Sequence, residues 1–133
     1  MLAVKGKRGV VPTEADEQRV LASYLDHLHL LRFHCPNEAR RSPQLGRRLK
    51  QLGLRAGVAD CLIFDPPPAK PHCRGVALEL KRQHGGRLSK AQEEWLDEIR
   101  KRGWYAVVCH GADDAIRTMR CLGYEERRHE CAG

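Results

Sequence analysis

The sequence predicts an α/β domain: a central mixed β-sheet flanked by α-helices. Three observations carry that prediction. Apolar runs of strand length stand at 58–64, 76–81 and 104–110. Each follows a glycine, and Asp65 and Gly111 close the first and third, residues that punctuate strands. Stretches of helical period with N-cap residues precede and follow these runs, and an order of helix, strand, strand, helix, strand, helix suits a sheet covered by helices. At 133 residues the chain has the size of one ordinary domain with a real core. The expected division is a basic N-terminal arm (1–12), one domain (13–124) and a charged tail (125–133).

Taken in order, Thr13 after Pro12 is an N-cap candidate, with Glu14, Asp16 and Glu17 in the first turn, where the helix dipole favours anions. A helix is expected from there to about Leu31, with Val20, Leu21, Tyr24, Leu25 and Leu28 as its apolar stripe. Extending that stripe backwards brings Glu14 and Glu17 onto the same face. Either carboxylate can therefore point inward, or both can be surface acids that complement the dipole. A short strand is expected at Arg32–Cys35. Residues 36–56 then read as a long loop crowded with Arg40, Arg41, Arg47, Arg48, Lys50 and Arg55 and almost free of acids. Such a loop is a solvated basic surface or a phosphate-contacting segment.

Val58–Phe64 reads as a buried strand that ends at Asp65-Pro-Pro-Pro, which cannot continue a ladder. Val76–Lys81 reads as a second strand. Alternation places Val76, Leu78 and Leu80 on a packed face and Ala77, Glu79 and Lys81 on a face left to charge. A Gly85-Gly86 loop leads to Ser89, an N-cap candidate for a helix through Arg102 that stops at Gly103. Trp104–His110 is a third strand, and a last helix is expected from Asp113 to about Leu122.

Composition narrows the partners. Twenty-four Lys and Arg against 17 Asp and Glu give a formal charge of +7, which favours a polyanion such as nucleic acid or an anionic membrane surface. No apolar run approaches the ~20 residues of a membrane span, and residues 1–12 lack a signal-peptide core. The expectation is a soluble protein of the cytoplasm, in a bacterium or a phage-infected cell. The basic segment has no clean apolar stripe, so a membrane-surface helix is not expected. The six cysteines are scattered without any CxxC, and three lie inside apolar runs. A zinc site would have to combine His34-Cys35, His72-Cys73 and Cys109-His110, adjacent pairs that lack the usual ligand spacing.

The polar residues of the two central strands carry the chemistry. Asp60 and Glu79 on adjacent strands can give two carboxylate ligands to a hard divalent ion, and the carbonyl of Leu80 a third; Mg²⁺ or Mn²⁺ suits such a set. Lys81, two residues from Glu79, shares its strand face and can orient a water or offset charge on phosphate. Against this stands a plainer arrangement, an edge-strand Glu-Lys pair with Asp60 capping a turn. Gln92 likewise has two readings, because Ser89-x-x-Gln92 is a capping box.

The stretch GVADCLIF…GVALELKRQHGGRLSKAQEEWLDEIRKRGW, with the upstream EADEQRVLASYL and PNEARRS…GLRAG, resembles the VRR-Nuc domain, a branch of the PD-(D/E)xK nuclease superfamily. A GxPD strand, an ExK strand and an S-x-x-Q helix occur in that order, with Ala59 in place of the usual Pro. The resemblance implies a restriction-endonuclease-like core. It makes Asp60 and Glu79 metal ligands, Lys81 the catalytic lysine and Gln92 a residue beside the metal. It also implies a glutamate from the first helix, for which Glu14 with Gln18 fits the spacing and Glu17 stays open. The implied activity is a metal-dependent endonuclease on branched DNA, such as junctions or flaps, acting as a homodimer of the phage type. Arg40, Arg41, Arg47, Arg48, Lys50 and Arg87 are the expected backbone contacts. The alternatives are a DNA-binding subunit without activity and a zinc-binding interaction module.

Overall fold

The computed structural model describes residues 11–35 and 42–124. Nearly all of the expected arm, the whole tail, and Arg40 and Arg41 lie outside the described residues. The elements are α1 (Glu14–His27), β1 (Arg32–His34), α2 (Pro43–Gln51), β2 (Cys61–Ile63), β3 (Val76–Lys81), α3 (Lys90–Lys101), β4 (Tyr105–His110) and α4 (Ala112–Cys121). The strands form one mixed sheet in the order β1-β2-β3-β4. The first two pairings are antiparallel and β3–β4 is parallel, so the α/β expectation is met.

Strand period 2 sorts the core into two layers. Val76, Leu78 and Leu80 of β3, with Cys61, Ile63 and Cys109, pack beneath Leu21 and Leu25 of α1, its C-cap Leu28, and Ala115 and Met119 of α4. On the other face Ala77 lies with Ala59 and Leu96, flanked by Leu62, Trp95, Ile99 and Val108. That face belongs to α3. Every residue of β3 is buried, which corrects the expectation of one packed and one solvated face. Ala77 is small enough to let α3 come close, and its first turn then roofs Glu79 and Lys81.

Caps explain where the helices begin. Thr13 and Asp16 form a reciprocal capping box on α1, and Ser89 and Gln92 do so on α3, each satisfying two otherwise unpaired amides. Gly103, at φ 88°, takes the left-handed position that follows α3, a conformation open to glycine. Helix α1 stops at His27 rather than Leu31. Leu31 instead gives its amide to Asp65 Oδ2 at 2.7 Å, leading directly into β1.

Two further differences have identifiable causes. Strand β2 is only three residues long, because the Asp60 side chain supplies the next acceptor: its Oδ2 takes the Leu80 amide at 2.7 Å. The basic segment, expected as loop, contains α2. Ser42 Oγ caps it by accepting from the Leu45 amide at 3.2 Å, Pro43 stands in its first turn, and Arg48 and Lys50 lie in its last. No residue of α2 is buried. Gly46 in its interior costs about 1 kcal/mol relative to alanine.

Candidate active site

Strand β3 carries two of the site's side chains, and its backbone orients a third group. Tyr105 and Gly111 donate to the carbonyls of Gly75 and Lys81 at 3.0 and 2.8 Å, so the odd-numbered peptides of β3 face β4. Alternation turns both backbone groups of Leu80 the other way, toward β2. Its amide meets Asp60, and its carbonyl leaves on that same side. Asp60, Glu79 and the Leu80 carbonyl thus share one corner at the end of β2.

Glu79 is 1 % exposed and Lys81 8 %. Lys81 Nζ lies 3.4 Å from Glu79 Oε1 and donates to Gln92 Oε1 at 2.9 Å. Gln92 Nε2 donates to Glu79 Oε1, also at 2.9 Å. The same Gln92 Oε1 accepts from the Ser89 amide at 2.9 Å. Gln92 is therefore cap and site residue at once: the two readings offered by the sequence coexist in one conformation. Gly86 makes room for this, since a Cβ there would stand 2.8 Å from Lys81 Cβ.

Glycine also fixes the loop that carries Asp60. Gly57, at φ 82°, lies so close to α3 that a Cβ would meet the Ala91 carbonyl carbon and oxygen at 2.4 Å. The Asp60 loop is thereby pressed onto the turn that holds Gln92.

The electrostatics leave Glu79 short of positive charge. Burial first, and the charge of Asp60 second, push its carboxyl up to about 7. Lys81 and the Asp60 backbone amide pull the other way without reversing the shift. Glu79 Oε2 is buried and takes no hydrogen bond of ordinary geometry. A desolvated carboxylate oxygen without a well-formed hydrogen bond is costly, and a cation beside it offsets the cost. Two carboxylates and a backbone carbonyl make the small, hard donor set of an ion that keeps most of its own waters, so the residues present fit Mg²⁺ or Mn²⁺.

The shift fixes a pH dependence. Below about pH 4.5 Glu79 is protonated in both folded and unfolded chains and costs nothing. As pH rises to about 7 the unfolded chain releases its proton while the folded one retains it, and stability falls. In metal-free buffer Glu79→Gln should therefore be more stable than wild type above pH 7, and the gap should close near pH 4. Urea midpoints across that range measure it, and parallel curves would refute it.

Of the two first-helix acids, Glu17 is the buried one, at 5 % exposed. Its Oε2 accepts from the Ala112 amide at 2.6 Å and its Oε1 from Gln83 Nε2 at 2.9 Å, so it ties α1 to the start of α4 and the loop after β3. Glu14 is half-buried one turn earlier. Among the described residues no three His, Cys, Asp or Glu side chains form a cluster able to hold a metal. The zinc arrangement of His34, Cys35, His72, Cys73, Cys109 and His110 thus has no site there. Cys61 and Cys109 are core residues, their thiols raised to about 11 by burial.

The basic residues separate. Pro43, Gly46, Arg47 and Lys50 form one face of α2, which with Arg55, Gly57, Ser89 and Gln92 lines a cleft of about 510 Å³. Arg48 is exposed elsewhere on α2, and Arg87 is exposed on the loop before Ser89. The cleft and the role of Gln83 escaped the sequence reading. The first had a signal in Ser42-Pro43 followed by Leu45, Leu49 and Leu52; the second had none. No described helix is long and apolar enough to cross a membrane.

Comparison with known proteins bears on all of this. The sequence profile of the VRR-NUC domain matches residues 13–113. A solved structure described as a "VRR_NUC domain protein" superposes with a TM-score of 0.67 at 23% identity, covering 86% of this chain and 93% of that one. No curated protein sequence matches.

Proposed function

The chain belongs to the VRR-NUC domain family of nuclease-type, DNA-processing domains, and from that premise we propose that it is a divalent-metal-dependent endonuclease selective for branched DNA. The observation that carries the reading is Glu79, a buried carboxylate with one oxygen shared by Lys81 and Gln92 and the other without a hydrogen bond of ordinary geometry from the described residues. Asp60, Glu79 and the Leu80 carbonyl would hold Mg²⁺ or Mn²⁺. When bound, the ion supplies Lewis-acid neutralisation of charge on the phosphate.

The chain's own groups do the rest. Lys81, held in a nearly dry site by Glu79 and Gln92, sets a positive charge where negative charge develops on the phosphate, and low exposure strengthens it. Gln92 positions that ammonium and leaves one amide hydrogen on Glu79. Hydrolysis adds water across one phosphodiester: a new P–O bond forms, one ester P–O bond breaks, and the departing oxygen takes a proton. Arg47, Arg48, Lys50 and Arg87 meet the backbone without reading bases, so selectivity follows from DNA shape. Two copies about a two-fold axis would present two such sites to a two-fold symmetric junction.

A cleavage panel of junction, flap, hairpin and linear duplex, with Mg²⁺, Mn²⁺ or EDTA, tests this. Wild type should cut branched substrates only with metal. Asp60→Asn keeps an acceptor for the Leu80 amide but loses the charge, and should cut at least about 100-fold more slowly. Cleavage in EDTA, or none of any substrate with either metal, would overturn the proposal.

A further inference from the structure

The cleft between α2 and the start of α3 has a feature that folding does not explain. Gly46 occupies the middle of a nine-residue helix, where glycine is among the poorest formers. Its φ lies outside the left-handed region, and a Cβ there would meet none of the described residues within 4 Å. Neither backbone conformation nor packing requires glycine. What the bare position does is widen the cleft, since Gly46 lines it.

The chemistry of the walls says for what. Arg47, Lys50 and Arg55 stand at the cleft with no acid among the described residues that line it, and Leu54, Ala56 and Ala91 give it apolar surface. At about 510 Å³ it has the size of a small-molecule site, ~300–1,000 Å³, and is far too small for a duplex. An anionic group with a flat apolar part fits: phosphate on the cations, base on the aliphatic wall and on a guanidinium plane. A second copy of the chain would bring these cations against their own equivalents.

Resting on the nuclease reading above, we infer that this cleft seats one unpaired nucleotide of the strand being cut. Gln92 lines the cleft and also touches Lys81 and Glu79, so a nucleotide held there neighbours the phosphate at the site. Branch selectivity then comes from a place that only an unpaired nucleotide can enter.

Binding measured in EDTA tests this without cleavage. The probes are a linear duplex and the same duplex carrying one unpaired 2-aminopurine, read by anisotropy and by 2-aminopurine fluorescence. Wild type should prefer the bulged probe by about fivefold, the low end of what one stacked base is worth, since the cleft offers a guanidinium plane and aliphatic wall without an aromatic platform. Gly46→Phe fills the cleft from an open position; it should erase that preference and leave duplex binding within about twofold, because the rim cations remain. Gly46→Gln, a good helix former, should reproduce the split if Gly46→Phe fails to fold. Equal loss on both probes, no loss on either, or a change of oligomeric mass in the variants would overturn the inference. Protein that shows the split but never cuts retains the cleft and loses the nuclease; protein that cuts without the split does the reverse.

Discussion

Lys81→Met should cut branched DNA about 10²–10³-fold more slowly than wild type, the cost of removing one preorganised charge from a site, while binding the same DNA nearly as well. The reason is position. Lys81 is almost fully buried and directed at Glu79 and Gln92, so it adds little to the outer basic surface on which binding depends. Methionine keeps the volume of the stem, and Gln92 keeps Ser89 as a partner, so the fold should survive. Single-turnover cleavage and anisotropy on one labelled junction separate the two effects. Full activity in Lys81→Met would sink the assignment; joint loss of binding and cleavage would move Lys81 from the chemistry to the interface.

Gly57→Ala should destabilise the protein by about 2–4 kcal/mol, combining about 1–2 kcal/mol for an alanine in left-handed conformation with overpacking against α3. The methyl group has nowhere to go, because backbone atoms of Ala91 and Gln92 stand 2.4 to 2.8 Å from its position. Relief requires that the Asp60 loop move away from α3, so cleavage should fall even where the variant is folded. A lowered urea midpoint together with lost activity is the expected pair. An unchanged midpoint would show that the loop and α3 are not pressed together in solution.

How far the sequence could be read depended on how local each cause was. Strand β3 was legible to the residue, because Gly75 and the 76–81 alternation lie within it. Helix α3 was legible to within one residue from Ser89, Gln92 and Gly103: expected through Arg102, it ends at Lys101 with Arg102 as its cap. Strand β2 was over-read at both ends, since Asp60 substitutes a side-chain acceptor for the ladder, a cross-strand event. Helix α2 was missed because its arginines obscure a sparse apolar pattern. Glu17 was visible only as one of two inward candidates, because its partner at Ala112 lies 95 residues away. The juxtaposition of Asp60, Glu79, Lys81 and Gln92 was expected from motif order; that one glutamine would serve cap and site in a single conformation, rather than in turn, was not.

That shared glutamine makes the first turn of α3 a reporter of what happens beside it. Gln92 Oε1 divides its lone pairs between the Ser89 amide and the Lys81 ammonium. An occupant that draws Lys81 toward phosphate frees Oε1 for the Ser89 amide, whereas one that turns the Gln92 amide toward an ion takes that acceptor away from it. Helix end and reaction centre thus titrate one oxygen between them, and the solvent-exchange rate of a single backbone proton at Ser89 registers the loading of a site it never touches.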